Sequence, residues 1–179
     1  MAEAFINQVN RAVGIVTSSS NASIGVGLTW MSGISTAHVA IHDIVDNANF
    51  IAGTKVTFVG VSSVQLDRAS TNTVAATASN VSFLGPTTSY SSASATKSIL
   101  IGGTFANNTA NSVNLTVTVY DNSAETESQL AAKIPVPTGS SFVISDAGKT
   151  VLEGNDEVRV YCDVENAIDV NLSILKGVS

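Results

Sequence analysis

The stretch of sequence that decides the fold reads Ile168-Asp169-Val170-Asn171-Leu172-Ser173-Ile174, with apolar and polar residues alternating at every position. Successive side chains of a β-strand point to opposite faces of its sheet. A period of two therefore predicts a strand with one buried face and one face that meets solvent or a partner. The same pattern occurs in residues 23–30, 113–120 and 157–164. These four stretches predict an antiparallel β protein.

Further apolar segments between turn-rich pieces complete the predicted strand set. They are residues 12–17, 39–45, 55–65, 73–84, 97–105, 129–134, 140–144 and 150–152. Short strands divided by Gly, Pro and Asn are typical of a Greek-key or jelly-roll sandwich. Residues 35–45 fit a short helix nearly as well, and we favour a strand there. Pro135 and Pro137 lack backbone donors, which predicts a sheet edge or corner at that point.

The domain organisation is predicted from low-complexity stretches. Residues 86–96 are rich in Ser and Thr and predict a loop or a crossing between sheets. Residues 1–10 have little pattern and predict an N-terminal arm that packs on a neighbour, with disorder as the alternative. Residues 11–179 then form a single β-sandwich domain.

The composition is poor in charge. Charged residues make up 12% of the 179 positions, about half of the roughly 25% that is usual. Short neutral side chains lose little entropy and little hydration when they are covered, so such a surface suits packing against neighbouring subunits and predicts a homo-oligomer. A solvated surface with many turns is the alternative. The net charge is −6 and the chain has no run of Lys or Arg. Because binding to phosphate backbones needs clustered cations, we expect no direct nucleic-acid binding.

The cellular compartment is predicted from the cysteine and the N-terminus. Cys162 is the single cysteine, and its position on the apolar face of a predicted strand makes it a small core residue. The N-terminus has no basic segment followed by an apolar core, so we expect no secretory signal. The sequence contains no window of about 18 apolar residues, so we expect no membrane span. We therefore expect synthesis and folding in a cytoplasm.

Two groups of residues have side chains that could bind a metal ion. On a helix, His38 and His42 would share one face and could bind zinc, whereas on a strand they lie roughly 13 Å apart. The second group is acidic and surrounds two predicted turns: Asp146, Glu153, Asp156 and Glu157. Its order does not match a dedicated calcium loop, and turns favour such residues for backbone reasons. We expect neither a metal site nor a cofactor.

The sequence offers little for catalysis and a few aromatic residues for sugar binding. The chain has no Gly-x-Ser-x-Gly motif and few charged residues, so we expect no enzyme. Trp30, Tyr90, Tyr120 and Tyr161 are the aromatic residues that could stack on a sugar. Trp30 has the parity of the apolar residues in 23–30 and is expected in the core. Tyr120 and Tyr161 fall on the polar faces of their strands and are expected to cap an interface.

A family resemblance is carried by the C-terminal residues and by the opening Arg11-Ala12-Val13-Gly14. The matching segments are residues 114–121, 132–141, 149–160 and 167–175, which include Val136-Pro137-Thr138-Gly139-Ser140-Ser141 and Val151-Leu152-Glu153-Gly154. This arrangement resembles small virion structural proteins of tailed bacteriophages, notably phages of marine bacteria and cyanobacteria. The family-like turn reads Glu-x-Gly-Asp, whereas this chain has Glu153-Gly154-Asn155-Asp156. Compared with the shorter proteins of this family, the chain carries residues 33–95 as what looks like a β-rich insertion.

The resemblance implies a function in the virion. It implies a non-enzymatic auxiliary structural protein, with capsid decoration or cementing favoured over a neck or tail position. Its partners would then be the major capsid protein or neck and tail proteins. A decoration protein would use its neutral faces and the arm residues Phe5, Ile6 and Val9 to bridge shell subunits. A tail-associated module that binds host-surface glycans is the alternative.

Overall fold

A computed structural model describes residues 3–19, 21–73, 80–145 and 149–178, and these residues contain strands and no helix. All the pairings between strands are antiparallel, which confirms the all-β prediction. The Greek-key or jelly-roll connectivity stays a prediction. In chain order the strands are β1 (Ala4–Val13), β2 (Ile15–Ser19), β3 (Trp30–Ser32), β4 (Ile44–Asp46), β5 (Val56–Val59), β6 (Ser63–Leu66), β7 (Val81–Gly85), β8 (Thr87–Ser91), β9 (Lys97–Asn107), β10 (Val113–Asp121), β11 (Thr126–Val136), β12 (Ser141–Ile144), β13 (Thr150–Leu152), β14 (Glu157–Cys162) and β15 (Ile168–Val178).

The chain divides into two compact units. Unit 1 comprises Met1–Gly14 and Thr87–Ser179, and unit 2 is Ile15–Pro86. The structure therefore separates residues 11–179, which the sequence predicted as one domain, into parts of two units. The predicted insertion of residues 33–95 overlaps unit 2. Its status as an insertion relative to a shorter family stays a prediction.

Unit 1 is a β-sandwich of two sheets. The five-stranded sheet has the order β1-β15-β9-β12, with β13 also pairing with β9, and the four-stranded sheet has the order β11-β10-β14-β8. The inner face of β15 carries Ile168, Val170, Leu172 and Ile174, each at most 1% exposed. They share one core with residues of the other sheet, among them Leu115, Val117, Val158, Val160 and Cys162. The alternation that predicted these strands is thus the alternation between core and outer face.

Unit 2 has two three-stranded sheets, ordered β2-β7-β4 and β3-β6-β5. Its core gathers apolar residues from both, including Met31, Val45, Val56, Val64 and Phe83. These strands are short, between three and five residues. Most of the described residues of unit 2 lie in the turns, bends and irregular segments between these strands.

Gly14 follows the last residue of β1, at a position where the backbone tolerates only glycine. Its φ is 136°, and an added Cβ would lie 2.2 Å from the carbonyl oxygen of Val164. No other residue type fits that approach, because only glycine has no Cβ. The predicted strand 12–17 is consequently broken here, with β1 ending at Val13 and β2 beginning at Ile15.

The structure corrects two predictions about local order in unit 1. Residues 4–10 do not form a free arm, because they lie in β1 and pair with β15 from Ala4 opposite Lys176 to Asn10 opposite Val170. The predicted loop of residues 86–96 contains β8, which pairs with β14. Ser and Thr are compatible with strands, so a low-complexity composition was a poor guide there.

Three further predictions concern unit 2 and a sheet edge. Residues 23–29 are not a strand: they contain two bridge residues and a turn at Val26 and Gly27, because glycines interrupt the alternation, and only Trp30 of the predicted segment lies in β3. Residues 39–43 form a turn and irregular structure, and the strand β4 covers only Ile44–Asp46. Part of the predicted strand 73–84 lies outside the described residues. Pro135 lies in β11, an outermost strand of its sheet, which confirms the predicted edge.

The described part of the chain has no helix that is long and apolar enough to cross a membrane.

The packing of β15 gives a first prediction. Leu172 is fully buried in the unit 1 core, so Leu172→Ala should lower the free energy of unfolding by about 2–5 kcal/mol. The neighbouring exposed position supplies the control, because Ser173→Ala should change it by less than about 0.5 kcal/mol. Urea denaturation followed by far-ultraviolet circular dichroism measures both values. Equal effects at the two positions would contradict the assigned register.

Candidate functional site

An apolar row crosses the outer face of the five-stranded sheet of unit 1. Phe5 of β1 is opposite Leu175 of β15, Leu175 is opposite Ile99 of β9, and Ile99 is opposite Val151 of β13. Residues directly opposite one another on antiparallel strands point to the same face. Phe5 is 76% exposed and Val151 is 56% exposed. We call Phe5, Leu175, Ile99 and Val151 the outer row.

A second set of opposite residues runs parallel to the outer row. Val9 is opposite Asn171, which is opposite Thr104, and Thr104 is opposite Val143. Val9 and Val143 are exposed apolar residues at its two ends. Asn7, Ser173 and Gly102 are opposite one another between the two sets. Thus the middle of this face offers apolar groups separated by short neutral polar ones.

The structure separates the three residues that were predicted to bridge subunits. Phe5 and Val9 lie on the outer face of β1, where both are exposed. Ile6 has the opposite parity and packs against the unit 1 core. Ile6 is therefore a core contact and not part of the exposed face.

Unit 2 presents an aromatic pair on the exposed face of its β3-β6-β5 sheet. The ring centroids of Trp30 and Phe58 are 5.7 Å apart, with an angle of 60° between the ring planes. Both residues are opposite Gln65 of β6 in the strand register. Trp30 is 49% exposed and Phe58 is 48% exposed. We call Trp30, Gln65 and Phe58 the aromatic platform.

The prediction that Trp30 lies in the core is wrong. Its parity was counted from Ile24 along a single strand, but Gly27 has a φ of 74° and the amide of Leu28 donates to the carbonyl of Gly25 in a turn. The chain changes direction there, so parity on one side of the turn says nothing about the other. Met31, the next residue, is the buried one.

A group of charged and hydroxyl side chains lies on the four-stranded sheet, on the face opposite the valine core. The Nε of Arg159 donates to Oε2 of Glu157 at 2.8 Å, and its Nη1 lies 3.6 Å from Oε2 of Glu127. The hydroxyl groups of Tyr161 and Thr118 both donate to Oε1 of Glu127. We call these five residues the polar cluster.

The polar cluster is extended by two further contacts. The guanidinium carbon of Arg159 lies 3.9 Å from the ring centroid of Tyr120, a cation–π distance. The hydroxyl of Thr88 donates to Oε2 of Glu157 at 3.0 Å. Side chains from β8, β10, β11 and β14 therefore meet at one arginine. The arrangement crosses the whole four-stranded sheet.

The electrostatics of the polar cluster favour its charged and hydrogen-bonded state. Burial opposes the charge of Arg159, but the hydrogen bond to Glu157 and the charges of Glu157 and Glu127 outweigh it and raise its pKa. Burial raises the pKa of Tyr161, and the neighbouring carboxylate of Glu127 raises it further. Tyr161 is thus held as a neutral donor. The carboxylates of Glu127 and Glu157 both accept hydrogen bonds from neighbouring side chains.

The structure places the two predicted interface tyrosines in and beside the polar cluster. Tyr120 is half-buried beneath Arg159. Tyr161 is fully buried, so its prediction as an exposed interface residue is corrected. The alternation placed both on the face away from the valine core, but did not reveal that part of this second face is itself buried. Tyr90, also considered for sugar stacking, is a core residue whose hydroxyl is 2.8 Å from that of Ser98.

The candidate metal ligands are dispersed. His38 and His42 lie in turns with φ values of 65° and 78°. Asp146 is outside the described residues. Asp156 is buried and accepts from the amides of Glu153 and Asn122, so it joins two turns. Across residues 3–19, 21–73, 80–145 and 149–178, no three His, Cys, Asp or Glu side chains form a group that could hold a metal ion.

Cys162 lies in the unit 1 core, as its strand parity predicted. Burial raises the pKa of its thiol to about 11, and the carboxylate of Asp163 adds to that effect. A thiol that is buried and protonated at neutral pH is a poor nucleophile. Cys162 therefore serves packing.

Comparisons with known proteins were made for the whole chain. No model of a known protein family matches, and no curated protein matches. Among solved structures, an isomalto-dextranase of Arthrobacter globiformis T6 complexed with panose aligns with 96% of this chain at 11% identity and a TM-score of 0.24. This chain covers 34% of the length of that protein. At this TM-score the likeness carries no argument about fold or function.

The polar cluster gives a second prediction. Arg159→Ala should lower the free energy of unfolding by about 3–5 kcal/mol, because it removes the guanidinium group that forms an ion pair with the buried carboxylate of Glu127. The double variant Arg159→Met with Glu127→Gln should be more stable than the single variant. Urea denaturation at neutral pH tests this, and a single variant as stable as the wild type would contradict it.

Proposed function

We propose that this protein is a non-enzymatic auxiliary structural protein of a tailed phage particle, most specifically a decoration or cement protein that packs on the major capsid lattice. The observation that carries the proposal is the outer face of the five-stranded sheet. It presents the outer row together with Val9 and Val143, among short neutral side chains. Exposed apolar residues in contiguous rows mark interaction sites.

The resemblance in sequence supports the virion assignment. Its matching segments lie in unit 1, which contains the outer face, and not in unit 2. A face with few charges and short side chains loses little entropy and little hydration when it is covered. Such a face suits a lattice that presents many identical sites.

Stabilisation of the shell follows from mass action. A protein that binds the assembled lattice and not free subunits shifts the equilibrium towards the assembled state. No chemical step is needed for this role. The charged residues of the polar cluster form ion pairs with one another on the four-stranded sheet, so in this proposal they serve the fold and not a reaction.

The third prediction tests shell binding. The paired substitutions Val143→Ser and Val151→Ser remove apolar side chains that are 55% and 56% exposed. They should weaken binding to purified shells that lack the protein by tenfold or more, because the covered apolar surface is lost. Co-sedimentation measures the binding, and the disruption temperature of the shells measures the stabilisation.

The matched control is Ile51→Ser in unit 2, a position that is 53% exposed. It should bind shells as the wild type does, and circular dichroism should be unchanged in all variants. Electron microscopy of labelled particles gives the location. Regular density over the shell is expected. Label confined to the neck or tail would replace the cement assignment by a neck or tail component.

A second candidate function is favoured by the aromatic platform, namely binding of host-surface glycans by a tail-associated module. Exposed aromatic rings stack on the apolar faces of sugars, and a neighbouring amide can hydrogen-bond their hydroxyl groups. Trp30 and Phe58 supply the rings and Gln65 supplies the amide. In this role the protein would bind cells in the absence of particles.

The fourth prediction separates this second function from the first. If glycans bind at the platform, host polysaccharide should change the fluorescence of Trp30, which is the single tryptophan. Phe58→Ala should weaken that binding by tenfold or more, since one of two stacking rings is lost. Ile51→Ala is the control for an exposed apolar position away from the platform. Unchanged fluorescence at saturating polysaccharide, with no binding to cells, would rule the glycan function out.

A further inference from the structure

Strand β1 forms one edge of the five-stranded sheet of unit 1. Its pairing in the described part of the chain is with β15 alone, and it lies at the end of the strand order. Ten residues long, it leaves one row of backbone donors and acceptors without a strand partner. Edges of this length are templates for pairing with another strand, unless charges or irregularities block them.

The outer-face residues of β1 and its approach form a palindromic pattern. They are Glu3, Phe5, Asn7, Val9 and Arg11, and all five are exposed. The acid Glu3 at one end corresponds to the base Arg11 at the other, and the aromatic Phe5 corresponds to the β-branched Val9. Asn7 is at the centre. A strand with this pattern is complementary to an antiparallel copy of itself.

We propose that two copies of this chain pair through β1 in an antiparallel ladder with a two-fold axis at Asn7. Glu3 of each copy then lies opposite Arg11 of the other, and Phe5 lies opposite Val9. The occupant of the free edge is thus a second copy of the same chain. The inference concerns self-association and holds whether or not the protein binds a shell.

Charge and apolar matching select this register over its neighbours. A shift by two residues in one direction places Glu3 opposite Val9 and Phe5 opposite Asn7, and a shift in the other direction places Phe5 opposite Arg11. A parallel pairing in register sets Glu3 beside Glu3 and Arg11 beside Arg11. Like charges directly opposite are unfavourable, whereas opposite charges and aromatic to β-branched pairs are favourable.

The length of the regular edge fits the same register. Immediately after Arg11, Ala12 has a φ of 56° and donates its amide to Oδ1 of Asp169. The register with β15 shifts between Asn10 and Val13 at this bulge. Regular pairing with β15 therefore ends at Asn10, and the bulge begins at Arg11, the last residue of the proposed ladder. The edge is regular from Ala4 to Asn10, and the irregularity that follows limits the ladder at this end.

The pairing also joins the outer faces of the two copies. Phe5 ends the outer row at the edge, and in this register it meets Val9 of the second copy. The outer row of one copy thereby continues onto the parallel set that contains Val9, Asn171, Thr104 and Val143 in the other. The second copy covers part of Phe5, the most exposed residue of the row.

The first experiment uses charge reversal and mixing. Sedimentation velocity should find the wild type as a dimer. Glu3→Arg alone places two arginines opposite each other, Arg11→Glu alone places two glutamates opposite each other, and each should weaken dimerisation by tenfold or more. An equimolar mixture of the two variants should dimerise again, because every pair is then oppositely charged. Failure of the mixture to dimerise when the wild type does would overturn the proposal.

The second experiment tests the position of the two-fold axis by cross-linking. Asn7→Cys should give a disulfide-linked dimer under mild oxidation, because opposite Cα atoms in an antiparallel ladder lie about 4.5–5.5 Å apart, within the range of a disulfide. The control Ser173→Cys, on the adjacent strand of the same face, should not cross-link. Native Cys162 is buried and does not compete. A monomeric wild type, or equal cross-linking of both variants, contradicts the proposal.

These readouts are separate from shell binding. The shell variants change Val143 and Val151, which are far from β1 in the strand order, and the dimer variants change Glu3, Asn7 and Arg11. Loss of shell binding by a dimeric protein would concern the proposed function alone. A protein that binds shells as a monomer would overturn the pairing alone.

Discussion

The strict alternation along β15 is the constraint on which unit 1 depends. Its inner residues fill the core shared by both sheets, and its two edges pair with β1 and β9. Because a strand has a period of two, a slip of one residue would expose Leu172 and Ile174 and bury Asn171 and Ser173. The cost of that slip fixes the register on both sides. The outer row exists because this register places Leu175 between Phe5 and Ile99.

The two sheets of unit 1 distribute polarity in opposite ways. The outer face of the five-stranded sheet exposes apolar residues, whereas the face of the four-stranded sheet away from the core carries the polar cluster, with Arg159 and Glu127 largely buried. Buried charges add stability only when they are well paired, so this second face is specific and intolerant of change. The outer face of the five-stranded sheet contains no such buried ion pairs. Covering its apolar side chains with a partner would remove apolar surface from water, which is favourable.

Sequence alone predicted what the alternation determines and little beyond it. It gave β10, β14 and β15, the buried Cys162 and the edge near Pro135, because apolar period and backbone chemistry are local. It failed where the backbone leaves the strand region, as at Gly27 and at the two histidines with positive φ. It also failed for Tyr161 and β1, whose environments depend on residues more than thirty positions away. Arg159, a lone cation in a Val-rich strand, was the one local signal of the polar cluster, and its partners are not adjacent in sequence.

Low charge, an apolar outer face and a self-complementary edge are connected physically. A face that exposes Phe5 and Val9 at its edge risks open-ended association, since apolar surface has no direction. Charges at Glu3 and Arg11 give that edge a direction and a register, and a two-fold pairing uses the edge once and closes. In the proposed dimer, two copies carry two outer faces in one continuous sheet. For the proposed binding to a capsid lattice of repeated sites, the second face would then bind at a high effective concentration, so each face needs only a modest affinity of its own.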